Sequence, residues 1–215
     1  MAIRTAGVVA SERMTQAQRS ARSRQALLEA AAQGLSRYGY AALSLAQVAE
    51  DAGYTRGALY HQFAGKEELA LAVVEWVRGT WQHDVGFIFE EPLAPADTLP
   101  ALARLHAVYC RRDVAAVLLT LRVEFDQNNH PVGQAIQALV ADLLQRCTKL
   151  VARGRADGSI PSGPPARDTA RALISALEAV AIEVAGRPPH DITLTTRAAA
   201  GILGLPLSEP VIHHR

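Results

Sequence analysis

Residues 44–69 read SLAQVAEDAGYTRGALYHQFAGKEEL, and the punctuation of this stretch sets the fold. Ser44 stands where an N-cap is wanted, its hydroxyl able to accept from free first-turn donors, and Leu45 to Ala52 then runs about two turns to Gly53. Thr55 is the next N-cap and opens a second short helix through Phe63, closed by Gly65. Leu59 and Phe63 are four apart and point into one core, to which Val48 also contributes. The small Ala49 and Gly53 predict close approach of the two helices. A longer helix starts at Lys66 and lies across them. This is a helix-turn-helix.

On the outward side of its second helix sit Arg56, Gly57, Tyr60 and His61. An arginine, a bare backbone and two hydrogen-bonding rings can reach the floor and walls of a DNA groove. Lys66, at the start of the next helix, can grip a phosphate together with the free N–H groups of that turn, and Thr55 can do likewise at its own helix start. Charge agrees with this reading. Residues 1–66 hold eight Lys/Arg against four Asp/Glu, whereas the remainder holds fourteen against seventeen, so a basic N-terminal piece sits on a slightly acidic body.

The order alanine-glycine, Thr cap, small residue, leucine, tyrosine, two variable positions, phenylalanine and Lys-Glu over Ala52 to Glu68 resembles the tetracycline-repressor family. The resemblance covers about residues 22–80. It implies that Thr55, Tyr60, His61 and Lys66 contact phosphates with Ser44 assisting, while Arg56 and Gly57 meet base edges. Two positions depart from the pattern: Gln62 stands where the family often has histidine or tyrosine, and Tyr54 replaces a commoner small aliphatic residue.

Outward from the motif, the pattern is helical throughout, so the expected fold is all-α with about nine helices. Residues 1 to about 19 lack apolar periodicity and read as a mobile arm or a frayed helix start. Leu27, Ala31, Leu35 and Tyr38 form the first helix, with Gly39 in position to end it. Lys66 to about Phe89 is a long helical run with Leu69, Val73, Trp76 and Thr80 on one face. Two helices follow around Leu102 to Tyr109 and Val114 to Phe125. Pro131 to about Ala156 carries a wide apolar stripe through Ile136, Leu139, Val140, Leu143, Cys147 and Leu150. The last two helices are placed at about 166–185 and 191–204. The expected division is an N-terminal arm and DNA-binding domain at 1–66 and a helical effector-binding and dimerisation domain at 67–215.

For the body, the family resemblance implies a ligand cavity and a homodimer built by the last two long helices. The stretch ARALISALEAVAIEVA suits either packing across a two-fold axis through Leu173, Leu177 and Val184 or a core within one chain. Trp81, His106, Tyr109, Glu124 and Phe125 interrupt otherwise aliphatic faces and are the candidate ligand contacts. His106 and Cys110, four apart, could form half a metal site or activate a thiol, but no second pair accompanies them. Glu124 with Asp126 reads first as solvated charge.

The chain shows no nucleophile–base arrangement, phosphate loop or metal cluster, so an enzyme is not expected and no cofactor is called for. Two cysteines build no disulfide framework, and no apolar run approaches the length of a membrane span or signal core, which points to the cytoplasm. The expected function is a DNA-binding transcriptional regulator, in the first instance a repressor released from double-stranded operator DNA by a small-molecule effector. The alternative is a regulator whose DNA occupancy is constitutive or set by a protein partner.

Overall fold

The computed structural model describes residues 15–125, 129–184 and 187–206. Among them are nine α-helices and no strand: α1 (Gln16–Ala42), α2 (Leu45–Asp51), α3 (Arg56–Gln62), α4 (Lys66–Asp84), α5 (Pro95–Tyr109), α6 (Ala116–Glu124), α7 (Pro131–Ala156), α8 (Ala166–Val184) and α9 (His190–Leu203). The all-α expectation holds. Short 3-10 turns lie at Gly86–Phe89 and Asp113–Ala115, so the long run expected to reach Phe89 is α4 followed by a tighter turn.

Helix α1 starts earlier than its apolar pattern. Thr15 and Gln18 form a reciprocal capping box, which satisfies first-turn donors without any buried side chain and brings Arg19 into the helix. Residues 1–14, including most of the expected arm, lie outside the described residues. At the other end Gly39 adopts φ 74°, a conformation L side chains rarely take, and breaks α1 before its last turn. Tyr38, expected on the apolar face, is 63% exposed just before this break.

Ser44 and Thr55 cap α2 and α3 by accepting from the N–H groups of Gln47 (3.4 Å) and Ala58 (3.2 Å). Gly53 between them has φ 74° but open space where a Cβ would be. Its glycine is therefore required by the turn's backbone, not by the close helix approach expected from sequence. Ala49, buried, serves that approach.

Leu27, Leu35, Val48, Leu59, Phe63, Leu69 and Val73 form a core that continues into Leu121 and Phe125 of the α6 end and Ile136 of α7. The apolar interior thus runs past residue 66 without a seam. A second core joins α5, α7, α8 and α9 through Leu99, Leu102, Cys147, Val151, Leu173, Leu177 and Leu203. Asp191, buried at the start of α9, accepts from Arg111 Nε (2.8 Å) and Nη2 (3.1 Å), tying the end of α5 to α9.

This packing decides between the two uses left open for the α8 stripe. Leu173, Leu177 and Val184 are buried within the single chain. The apolar groups that α8 and α9 leave outside are different ones, Ile182 at 70% exposure and Leu194 at 44%.

Phe63 is enclosed at the centre of the helix-turn-helix, with the Arg24 guanidinium 4.4 Å from its ring centroid. Phe63→Ala is expected to cost about 3–5 kcal/mol, read as a lowered urea midpoint. A cost below about 1 kcal/mol would show that this ring does not fix the helix angle.

Candidate nucleic-acid interface and body cavity

Helix α3 is held by one apolar face, since Leu59 is buried and its neighbours turn outward. Arg56, Gly57, Tyr60 and His61 are all exposed, with Tyr60 at 49%. Thr55 and Ser44 are exposed at the starts of their helices, so their hydroxyls reach solvent while capping. No acidic side chain lies on α3. Gln62, the first departure from the family pattern, turns toward α1 instead: its side-chain Nε2 donates to Ser20 Oγ (3.0 Å) and its backbone carbonyl accepts from Arg24 Nη1 (3.2 Å), binding α3 to α1. Tyr54, the second, is half-buried against the motif's core.

A Cβ at Gly57 would meet nothing nearer than Thr55 Oγ1 at 3.8 Å. The fold therefore gives no internal reason for glycine there, and a first-turn glycine costs helix stability. The bare backbone there is open to close approach from outside.

Lys66 is engaged on the protein side. Its Nζ donates to the Ala41 carbonyl (2.8 Å) and sits 4.9 Å from the Tyr40 ring centroid. An ammonium carries three donors, so two remain for a phosphate. No side chain caps the first turn of α4, which leaves backbone donors beside it.

The Ala41 carbonyl is itself placed from the body. After the break at Gly39, the Tyr40 and Ala41 N–H groups donate to the two carboxylate oxygens of Glu124 at 2.5 and 2.7 Å. A Cβ at Gly39 would lie 2.7 Å from that carboxylate. Phe125 stacks on His130 (centroids 4.5 Å apart), and both meet the Tyr40 ring edge-on. His130 Nδ1 accepts from Val132 N (3.2 Å) as the cap of α7, and Nε2 lies 3.6 Å from Glu67 on α4. These contacts correct one sequence expectation and locate two of the ligand candidates. Glu124 is not a solvated charge, and neither it nor the buried Phe125 borders the main cavity of the body, because both close the joint between α1, α4, α6 and α7. Asp126 lies outside the described residues.

The other three ligand candidates, Trp81, His106 and Tyr109, border that cavity, a space of about 320 Å³ between α4, α5, α6 and α7. Leu118, Leu119, Leu139, Val140 and Leu143 supply its apolar wall, which is why part of the α7 stripe is only half-buried. Sequence reasoning missed these leucines because an apolar residue beside empty space and one in a core obey the same periodicity. Trp81 Nε1 donates to His106 Nδ1 (3.2 Å), which fixes the proton of a neutral ring on Nε2, 3.4 Å from Cys110 Sγ. Tyr109 and Thr80 hydroxyls are 2.8 Å apart. Burial holds the His106 pKa down at about 4 and pushes the Cys110 thiol up to about 12. The His106–Cys110 pair is thus a neutral imidazole beside a protonated thiol, not an activated thiolate. Among the described residues no three His, Cys, Asp or Glu side chains gather to hold a metal ion.

Arg78, Arg122 and Arg146 stand around this chamber, paired with Glu75, Glu178 and Asp142. No helix among the described residues is long and apolar enough to cross a membrane.

Residues 27–73 match the family model described as "Bacterial regulatory proteins, tetR family". The chain is 23% identical over 187 residues to the transcriptional regulator BetI of Brucella suis, covering 78% of this chain and 94% of that one. It is 42% identical over 66 residues to the regulator CymR of Pseudomonas putida, covering 31% of this chain and 32% of CymR. Its fold is shared with AibR, solved in complex with isovaleryl coenzyme A and operator DNA: TM-score 0.69 at 17% identity, over 84% of this chain and 98% of AibR.

Two outcomes are expected here. Gly57→Ala should raise the stability of the protein by about 0.5 kcal/mol in urea titration, while weakening any DNA complex measured by anisotropy; unchanged DNA affinity would remove the close-approach argument. Between pH 6.5 and about 4 the folded state holds His106 neutral while the unfolded state takes up its proton, so stability falls as pH drops through that window. The melting midpoint of wild type should therefore fall more steeply there than that of His106→Gln. Parallel curves would place the His106 ring in water.

Proposed function

The chain belongs to the tetR family of bacterial regulatory proteins and is a DNA-binding transcriptional regulator, and from that premise we propose a repressor that a small molecule releases from its operator. In this reading residues 1–66 are the DNA-binding part and 67–215 the effector-binding and dimerisation part, acting in the cytoplasm. Arg56 and Gly57 read base edges, while Ser44, Thr55, Tyr60, His61 and Lys66 hold phosphates. Two copies pair through the outer faces of α8 and α9, where Ile182 and Leu194 are exposed, and present two recognition helices to a two-fold operator. That AibR is seen with both a small ligand and operator DNA supports two sites on one such fold.

One observation carries the release step. Helix α6 borders the chamber with Leu118, Leu119 and Arg122, and its last residue, Glu124, fastens the α1 break. Between these two ends of the helix, Leu121 is buried in the first core. A ligand that displaces α6 therefore moves the anchor of Tyr40 and Ala41, and with it the carbonyl that holds Lys66. Differential binding to the two positions of α6 is what shifts the equilibrium away from DNA.

The test is fluorescence anisotropy on duplex from the intergenic region beside the chain's own gene, against scrambled duplex, over a salt series. Specific binding that weakens steeply with salt is expected. Arg56→Ala should cost about 1–3 kcal/mol of discrimination between the duplexes, whereas Lys66→Ala should weaken both alike and reduce the salt slope by about one. Equal, salt-insensitive binding to both duplexes would overturn the reading.

A further inference from the structure

Beside the chamber lies a second cleft of about 270 Å³, on the other side of a ridge formed by Ile136 and Val140 of α7. Arg122, Ile136 and Val140 border both spaces. The two differ in chemistry. The chamber side is walled by leucines, Trp81 and Tyr109, while the cleft gathers Arg122 with Arg167 and Arg171 of α8. Among the described residues no carboxylate borders the cleft, and Arg167 and Arg171 form no ion pair.

Local helix energetics do not account for these two arginines. Arg167 lies in the first turn of α8, where the helix dipole disfavours positive charge, and Arg171 one turn further on; Asp168 stands between them in sequence but forms an ion pair with neither. They are also four apart on one face, so they repel one another. An anion in the cleft would relieve both penalties and would draw on Arg122, whose guanidinium otherwise bonds, among the described residues, only to Glu178.

We propose that chamber and cleft are two halves of one effector site for an amphipathic anion, whose apolar body fills the chamber and whose carboxylate or phosphate head lies against Arg122, Arg167 and Arg171. This rests on the effector-binding reading above and names its ligand class. The cleft also borders Phe125, the neighbour of Glu124, so an occupied head site touches the joint that places Lys66.

The test uses the full chain with four probes: 1-naphthyl phosphate, 1-naphthoate, neutral 1-naphthol and inorganic phosphate, titrated by calorimetry and by tryptophan fluorescence. At least one anionic naphthyl probe should bind about 10-fold or more tightly than 1-naphthol, and inorganic phosphate should bind far more weakly than 1-naphthyl phosphate. Arg167→Gln with Arg171→Gln, both exposed, should abolish the anion's advantage and leave 1-naphthol affinity unchanged, with a melting midpoint no lower than that of wild type. Equal affinity for 1-naphthol and the anions would overturn the proposal, as would inorganic phosphate binding as well as its naphthyl ester, or an advantage that survives the double substitution. Failure of all four probes would also overturn it. Operator binding measured in parallel keeps these outcomes separate, because its loss, and not theirs, would sink the DNA-binding reading.

Discussion

A helix that breaks at a glycine leaves backbone donors with nothing to bond, and the way this chain satisfies them organises the molecule. Beyond Gly39 the N–H groups of Tyr40 and Ala41 are met by Glu124, a residue more than eighty positions away. Charge-assisted bonds of this kind contribute about 1.5–3 kcal/mol each, enough to fix the end of α1 against α6. The two residues that Glu124 holds carry further contacts of the joint. Tyr40 presents its ring to Phe125, His130 and Lys66, and Ala41 presents its carbonyl to Lys66.

The consequence is that the DNA-reading end and the body share one interior. Leu121, Phe125 and Ile136 belong to the same core as Leu59 and Phe63, so α6 and α7 cannot shift without disturbing the support of α3. The same two helices wall the chamber. For the proposed release, this shared interior is the physical contiguity that coupling requires.

The chamber's interior is neutral by construction. Burial keeps His106 uncharged and Cys110 protonated, while charge is confined to paired arginines around it and to Arg167 and Arg171 of the neighbouring cleft. Such a division of apolar body from cationic border is what lets a site take an amphipathic molecule without burying an unpaired charge.

By itself the sequence determined the helix-turn-helix, because its signals are local. Ser44 and Thr55 act as caps within three residues, Gly53 takes a positive φ within its own turn, and Leu59 and Phe63 meet at helical spacing. Helix order and most boundaries were legible for the same reason. What only the tertiary structure decided depends on partners far apart in the chain. Glu124 looked like a surface or ligand carboxylate until the fold brought Gly39 to it. Leu173 and Leu177 fitted a dimer seam first and a core within one chain second, until α9 packed on them. The residues around the chamber could not be told from core, since periodicity records which side of a helix is apolar and not whether the space facing that side is filled.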